Sequence, residues 1–392
     1  MSRFASFSTR SAHAGRGPAR PSASRPLTPP IYQSTVFAYE HLEDLDTLNP
    51  DKHSHSYYRY GTPTHEALEG AMCELEGGEE AALAASGTAI LTAIAFTLAG
   101  AGDYFVADRH IYGGTYAFLT EELPRLGIQT RLVDACDLDE VSYALRQGAK
   151  AFFVEAITNP TMRVCDLPAL CTLGQRYGVP VIVDATFASP ALVRPLEHGA
   201  AISWHSIAKY LGGHSAAVGG VATGQHTLIT AVRQKIAQLG GCQSAMDAWL
   251  TLLGLPTLPL RMAAHSQNAQ AIANYLAEHP TVETVYFPGL ATHPHYDFVS
   301  QLYPDGYGGM LSFTLDGGMQ AVQRLVERLK LIVFAPSLGD VTTTLAYPYA
   351  TSHYGLPDDV LQTLGVERGL VRLSAGIEDP ADIIADLEQA LS

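Results

Sequence analysis

Short apolar runs alternate with amphipathic stretches between residues 61 and 256. The runs predict β-strands, whereas the stretches between them, such as 114–126 and 137–148, have helical spacing of apolar positions. This alternation predicts βα units around a mostly parallel sheet that is buried on both faces, and therefore an α/β domain. The predicted strand regions are Ala81–Thr88, Tyr104–Ala107, Ile128–Val133, Ala151–Val154 and Val179–Val183.

The pattern changes on both sides of this region. Residues 257–392 contain a long helical stretch, Leu260–Glu278, and predict a smaller C-terminal α+β domain. Residues 1–60 are rich in Pro, Ser and His and predict an extended arm. The first 39 residues carry five arginines and no acid, which is the composition of a transit peptide. Their prolines would break the required amphipathic helix, so we expect the arm to wrap a neighbouring subunit.

Lys209 lies in a stretch of small, hydroxyl-bearing and glycine residues that covers positions 203–220. A lysine in such surroundings is easily desolvated, which lowers its pKa and leaves an amine able to attack a carbonyl group. This is the property that an enzyme forming a Schiff base needs. The chain has only five lysines, and the positions of the other four indicate ordinary surface roles.

Two further segments indicate a bound cofactor. Asp184 closes the predicted strand 181–183, so it lies at the carboxyl end of the sheet, where α/β proteins bind ligands. There it could keep a pyridinium nitrogen protonated. Ser86, Gly87 and Thr88 join a strand to a helix and predict a phosphate cradle, to which Ser206 could add a donor.

Composition narrows the class of protein. The net charge of −15 argues against a nucleic-acid or anionic-membrane partner, and we find no apolar run of transmembrane length. Five cysteines without a CxxC pair indicate a reduced, cytoplasmic protein. The HxH pairs His53/His55 and His293/His295 lack further ligands at suitable spacing, so we predict no metal site.

Six segments occur in the order and spacing of one enzyme family: Ser86–Thr88, Tyr112–Thr115, Val183–Thr186, His205–Tyr210, Ser337–Asp340 and Gly369–Gly376. Through them the chain resembles, over nearly its whole length, the Cys/Met-metabolism family of pyridoxal 5′-phosphate (PLP) enzymes of transsulfuration. Methionine γ-lyase, cystathionine γ-lyase and cystathionine γ-synthase are the members that it resembles most. The resemblance implies the PLP-dependent transferase fold, aspartate aminotransferase-like and of fold type I.

The resemblance also implies residue roles. Lys209 would form the Schiff base and shuttle protons, Asp184 would pair with the pyridine nitrogen, and Tyr112 would stack on the ring and act as acid or base. The other implied cofactor contacts are Ser86, Gly87, Thr88, Thr186 and Ser206. Arg372 would bind the substrate carboxylate, helped by Asn159 and Ser337.

The resemblance implies an assembly as well. Tyr57 and Arg59 would enter the neighbouring subunit's phosphate site, so that dimers share active sites within a homotetramer.

The chain departs from the family pattern at several positions, where we expect the substrate side chain to lie. These positions are Gly114, Ala185, Ala208, Pro336 and Tyr347. We therefore expect a methionine γ-lyase-like enzyme that acts on an unusual γ-substituted amino acid.

Other functions stay open at this stage. A γ-replacement enzyme of the cystathionine γ-synthase or O-acetylhomoserine sulfhydrylase type would share most of the chemistry, and a β-lyase is a further alternative. A non-catalytic binding protein of the same fold is a third possibility. A Rossmann oxidoreductase is disfavoured because no GxGxxG follows the first strand.

Overall fold

A computed structural model of the protein describes residues 6–15, 26–42 and 55–392. Parts of the predicted arm, including Lys52 and His53, lie outside the described residues. Within them, no helix combines the length and apolar character that a bilayer span requires.

The larger sheet has seven strands in the order β1-β7-β6-β5-β4-β2-β3. Only β7 runs against the others, because it pairs antiparallel with both β1 and β6. The prediction of a mostly parallel sheet is confirmed. The strands are β1 Glu80–Ala84, β2 Tyr104–Asp108, β3 Gln129–Val133, β4 Phe152–Glu155, β5 Val181–Asp184, β6 Ile202–Ser206 and β7 Gly220–Gly224.

Helices pack on both faces of this sheet. They are α1 Phe7–His13, α2 Pro63–Glu76, α3 Gly87–Leu98, α4 Gly113–Ala117, α5 Leu123–Arg125, α6 Leu138–Leu145, α7 Leu167–Tyr177, α8 Ser189–Leu192, α9 His226–Leu239 and α10 Ala245–Gly254. Successive strand residues belong to opposite cores: Val181 and Val183 pack in one apolar cluster and Ile182 packs in the other. Both faces are therefore buried, which leaves the strand ends to form a site.

The second sheet has the order β10-β11-β12-β9-β8 and is covered by the C-terminal helices. Its strands are β8 Val282–Tyr286, β9 Met310–Leu315, β10 Val333–Phe334, β11 Thr344–Ala346 and β12 Leu370–Ser374. The helices are α11 Leu258–Ala277, α12 Tyr296–Leu302, α13 Gly318–Arg328, α14 Asp358–Thr363 and α15 Pro380–Leu391. The turn Leu255–Thr257 separates α10 from α11, and we propose it as the boundary between the two predicted domains.

One prediction about local structure was wrong, and another needs refinement. The arm is not extended throughout, because Ser6 caps the short helix α1 by accepting a hydrogen bond from the Thr9 N–H. The predicted helical stretch 114–126 is confirmed, since the chain is helical from Gly113 to Arg125, but a π-helical turn, Phe118–Glu122, interrupts its α-helical register. Pro124 lacks the N–H that would complete a regular α-helical bond to the preceding turn, so the helix cannot continue in one register.

Candidate active site

A cavity of about 560 Å³ lies at the carboxyl ends of the large sheet's strands. It brings together most of the predicted site residues from distant parts of the chain. The predicted residues in its lining are Ser86, Gly87, Thr88, Tyr112, Asn159, Asp184, Thr186, Ser206, Lys209 and Arg372. Ser337 is not in the lining, but its neighbours Pro336 and Leu338 are.

Lys209 projects into this cavity from the turn that follows β6. Its surroundings are mostly buried, and burial lowers the pKa of the ammonium group. The positive charge of Arg372 lowers that pKa further. Both effects increase the fraction of neutral amine, which is the nucleophilic form.

Asp184 ends β5 and is almost fully buried. Its Oδ1 accepts the Thr186 N–H at 2.9 Å, and the Thr186 hydroxyl oxygen accepts the Ser206 N–H at 2.9 Å. Burial raises the pKa of the Asp184 carboxyl. A cationic partner in the cavity would therefore be needed to stabilise its charged form.

The first turn of α3 faces the same cavity. Ser86 caps this helix, and its Oγ accepts the Ala89 N–H at 3.1 Å. A Cβ atom at Gly87 would lie only 3.2 Å from the Cβ of Ser206. The absence of a side chain at position 87 lets Ser206, a predicted phosphate donor, pack closely against a positive helix terminus, which suits a phosphate group.

Arg372 enters from the second sheet, on β12. Its Nη1 donates to Asn159 Oδ1 at 2.9 Å and its Nη2 donates to the Ser337 carbonyl oxygen at 3.3 Å, while its buried Nε has no partner among the described residues. Burial lowers the pKa of the guanidinium to about 10, so the group stays cationic at neutral pH. Asn159 and Ser337 thus hold the cation at the cavity wall.

Glu155 is a residue of the cavity that the sequence analysis did not identify. Its Oε1 accepts the Tyr112 N–H at 2.7 Å and its Oε2 accepts the Asn159 N–H at 3.0 Å. Burial raises the pKa of this carboxyl well above its usual range, and the adjacent Asp184 contributes to the shift. The sequence offered one signal for Glu155, since it ends the apolar strand β4 as Asp184 ends β5. In the structure the two residues are paired across these strands.

Most of the positions that depart from the family pattern do not line the cavity, which corrects our expectation. Pro336 does line it, but the other four departures do not. Ala185 packs in the apolar core, and Tyr347 donates its hydroxyl to the Arg368 carbonyl oxygen at 2.9 Å. Gly114 acts indirectly, because a Cβ there would lie 2.6 Å from Tyr112 Cε1.

Tyr57 and Arg59 are absent from the cavity lining of their own chain. Arg59 donates to the Ala237 carbonyl oxygen at 2.9 Å, and its guanidinium carbon lies 4.8 Å from the Tyr60 ring centre. These two residues therefore do not join Lys209 within one chain.

The predicted absence of a metal site stays a prediction. In the second HxH pair, the His293 and His295 ring centres are 6.3 Å apart, and His293 Nε2 lies 3.3 Å from the Met162 carbonyl oxygen.

The chain is similar to known PLP-dependent enzymes over nearly its whole length. Residues 8–392 match the family described as Cys/Met metabolism PLP-dependent enzyme. A cystathionine γ-lyase from Bacillus subtilis is 38% identical, with 92% of this chain and 93% of the relative covered. An L-methionine γ-lyase from Porphyromonas gingivalis is 37% identical, with 98% and 96% covered.

A solved structure extends the comparison to the fold. It is a Campylobacter jejuni protein assigned as an O-acetylhomoserine (thiol)-lyase, which carries N′-pyridoxyl-lysine-5′-monophosphate. The two chains superimpose with a TM-score of 0.93 at 29% identity, covering 98% of this chain and 99% of the other.

Proposed function

Because the chain belongs to the Cys/Met-metabolism family of PLP-dependent enzymes, we propose that it catalyses γ-elimination from a γ-substituted L-amino acid. The products would be a 2-oxo acid, ammonia and the released γ-substituent. The observation that carries this proposal is the meeting of Lys209, Asp184 and Arg372 around one cavity. The family is one of transsulfuration lyases and synthases, and the γ-lyases among its members support elimination.

The residues of the cavity fit PLP. The buried Asp184 suits a protonated ring nitrogen, and the amino end of α3, where Gly87 and Ser206 approach closely, suits the phosphate. Lys209 would attach the cofactor covalently through Nζ, and Ser86, Thr88 and Thr186 would complete the polar surroundings. When bound, PLP withdraws electrons from the α-carbon of an attached amino acid.

The side chains of this chain would then bind the substrate and transfer protons. Arg372, held by Asn159 and the Ser337 carbonyl, would bind the substrate carboxylate with its charged fork. Lys209 Nζ, freed by the incoming amine, would remove the α-proton and deliver it to the cofactor side of the cavity. Neutral again, it would then remove a proton from Cβ. Tyr112 would stack on the cofactor ring and donate its hydroxyl proton to the departing γ-substituent.

A γ-replacement reaction is the second candidate, since the similar Campylobacter jejuni protein is assigned as a thiol-lyase. The two reactions share their early proton transfers and diverge only when a thiol captures the γ-carbon. Pro336 is the departure from the family pattern that lines the cavity, and it supports an unusual γ-substituent in either case.

We also propose that the enzyme is a cytoplasmic homotetramer built from dimers that share active sites. The arm, residues 1–60, would bring Tyr57 and Arg59 to the phosphate site of the neighbouring subunit. Their position away from Lys209 in their own chain supports this assignment.

The test is a substrate panel with purified, PLP-loaded protein. L-Methionine, cystathionine, O-acetylhomoserine and unsaturated or halogenated analogues are incubated with and without a thiol, and 2-oxo acid, ammonia and thioether are measured. Elimination predicts 2-oxo acid and ammonia without a thiol. Thioether as the sole product, formed only when a thiol is present, would establish replacement instead.

The variant Lys209→Ala shows how much of the measured turnover depends on Lys209. Lys150→Ala is the matched control, because Lys150 is exposed. Lys209→Ala should lower turnover at least about 1000-fold, whereas Lys150→Ala should leave it unchanged. Borohydride reduction and peptide mapping should place a pyridoxyl group on Lys209. A pyridoxyl group on another lysine would refute the assignment.

A further inference from the structure

Two cysteine thiols lie side by side outside the active-site cavity. Cys136 follows β3 and Cys165 precedes α7, and their Sγ atoms are 3.2 Å apart. Cys136 is partly exposed, whereas Cys165 is buried. In the described part of the chain, no other pair of thiols is within hydrogen-bonding distance, and neither residue lines the cavity that holds Lys209.

Charged groups around the pair favour a thiolate at Cys136. The Arg163 guanidinium is anchored by two hydrogen bonds to Asp134, of 2.7 and 2.8 Å, and its Nη1 lies 3.2 Å from His110 Nε2. A hydrogen bond from the Cys165 thiol, followed by the bond and charge of Arg163, lowers the pKa of Cys136 to about 6, against burial and the opposing charge of Asp134. The pKa of Cys165 is raised, first by its bond to Cys136 and then by its burial, with Asp108 adding to the shift.

The pair therefore has the arrangement of an attacking and a resolving thiol. An accessible thiolate is the nucleophile in thiol oxidation, and a neighbouring thiol within contact distance can complete a disulfide. A disulfide bond is about 2.05 Å long, so the two sulfur atoms need to approach by only about 1 Å.

We propose that Cys136 and Cys165 form a reversible dithiol site that reacts with hydroperoxides. The Cys136 thiolate attacks the terminal oxygen of the hydroperoxide, which breaks the O–O bond, releases an alcohol or water and leaves a sulfenic acid on Cys136. The Cys165 sulfur then attacks the Cys136 sulfur, and the sulfenic oxygen leaves as water. In total two thiols lose two electrons and two protons, and one hydroperoxide is reduced. Added dithiol reverses the reaction by exchange.

Two of the remaining three cysteines provide internal controls. Burial raises the pKa of Cys171 to about 12, and burial with nearby acidic charge raises that of Cys73 to about 12. Both should stay as unreactive thiols at neutral pH.

The experiment treats the PLP-loaded protein with hydrogen peroxide at neutral pH, blocks free thiols and digests with trypsin. The expected product joins peptide 132–146, which contains Cys136, to peptide 164–176. Its mass equals the sum of the two peptides plus one blocking group on Cys171, less two hydrogen atoms. Peptide 164–176 contains both Cys165 and Cys171, so the digest is repeated on Cys171→Ser, in which the link must persist. Loss of the link in Cys171→Ser, or free thiols at both Cys136 and Cys165 after peroxide, would overturn the proposal.

Two variants test the order of the steps. Cys165→Ser should stop the reaction at a sulfenic acid on Cys136, which a cyclic 1,3-diketone captures. Cys136→Ser should leave Cys165 reduced. Oxidation of Cys165 at an undiminished rate in Cys136→Ser would contradict the assignment of Cys136 as the attacking thiol.

A third variant tests the role of the guanidinium. Arg163→Gln should slow the modification of Cys136 roughly tenfold, because less thiolate is present at neutral pH. The exposed Arg146→Gln serves as its matched control and should react like the natural protein. Equal rates in Arg163→Gln and Arg146→Gln would overturn the role of Arg163. The disulfide between the two peptides tests the dithiol site independently of Arg163.

Discussion

At the scale of single residues, Glu155 connects the parts of the site that must keep a fixed distance. One carboxylate oxygen holds the main chain of Tyr112, and the other holds the main chain of Asn159, which in turn contacts Arg372. Glu155 is therefore a positioning residue, since it reaches the proposed acid and the proposed carboxylate site through backbone groups. A single isosteric change tests this role.

Glu155→Gln should lower kcat/KM roughly 10- to 100-fold, because one oxygen acceptor becomes an NH₂ group that faces a buried N–H donor. Such a mismatch costs about 1–3 kcal/mol. Steady-state kinetics should show both a lower kcat, through Tyr112, and a higher KM, through Asn159 and Arg372. The exposed Glu122→Gln is the control, and equal kinetics for the two variants would contradict the role of Glu155.

The same variant predicts a change in stability with pH. The raised pKa of Glu155 means that the folded protein retains a proton that the unfolded chain loses above about pH 4.3. The stability contributed by protonated Glu155 is thus complete below that pH and is lost as pH rises through the folded-state pKa. Glutamine stays neutral, so the Tm of Glu155→Gln relative to the natural protein should rise with pH.

Thermal unfolding of both PLP-loaded proteins from about pH 5 to about pH 9 measures this difference. A difference in Tm that stays constant, or falls, as pH increases would contradict a raised pKa of Glu155 in the folded protein.

At the scale of elements, the amino end of α3 is the part of the fold that suits a phosphate. The helix begins at Gly87, directly after β1 and the capping residue Ser86, so its free N–H groups point toward the cavity edge. The close approach of Ser206 and Trp204 to position 87 leaves little room for any side chain. A methyl group added at position 87 should therefore weaken the binding of PLP.

Gly87→Ala should raise the dissociation constant for PLP roughly tenfold or more, which corresponds to about 1.4 kcal/mol. The added Cβ would lie 3.2–3.3 Å from the side chains of Ser206 and Trp204 and would push Ser206, a proposed phosphate donor, away from the amino end of α3. Equilibrium titration of the PLP-free variant, followed by cofactor absorbance, gives the constant. Gly100→Ala is the control, because no atom lies within 4 Å of its added Cβ, and an equal affinity in both variants would refute the cradle.

At the scale of the whole molecule, we propose that a second chain completes the active site. One chain supplies Lys209, Asp184 and Arg372, whereas its own Arg59 is engaged with the end of α9 and is absent from the cavity lining. A dimer that exchanges arms would give each cavity an arginine from its neighbour. Activity would then depend on which residues two different subunits carry.

Mixing two inactive variants tests this arrangement. Lys209→Ala and Arg59→Ala subunits, each nearly inactive alone, should regain up to about a quarter of the natural activity after dissociation and reassembly in equal amounts. Half of the random dimers are mixed, and each mixed dimer contains one cavity with neither defect. The control is the same mixture without dissociation, and a reassembled mixture that stays inactive would place Arg59 in its own chain's site.

Lys209 and Glu155 show why some site residues were predictable from the sequence and others were not. Lys209 and Asp184 were predictable because each is a rare polar residue within a short apolar or glycine-rich segment. Glu155 also ends a strand, but its importance depends on Tyr112 and Asn159, whose backbone groups meet it only in the folded chain.

The amino-acid sequence by itself determined the α/β class, the alternating cores of the large sheet, and the lysine and aspartate of the site, because hydrophobic periodicity and local motifs act over short distances. Only the tertiary structure decided that Arg372 faces Lys209, that Glu155 joins two site segments, and that Cys136 meets Cys165. Most of these contacts join segments that are far apart along the chain, and they depend on the order of strands and the packing of the two sheets.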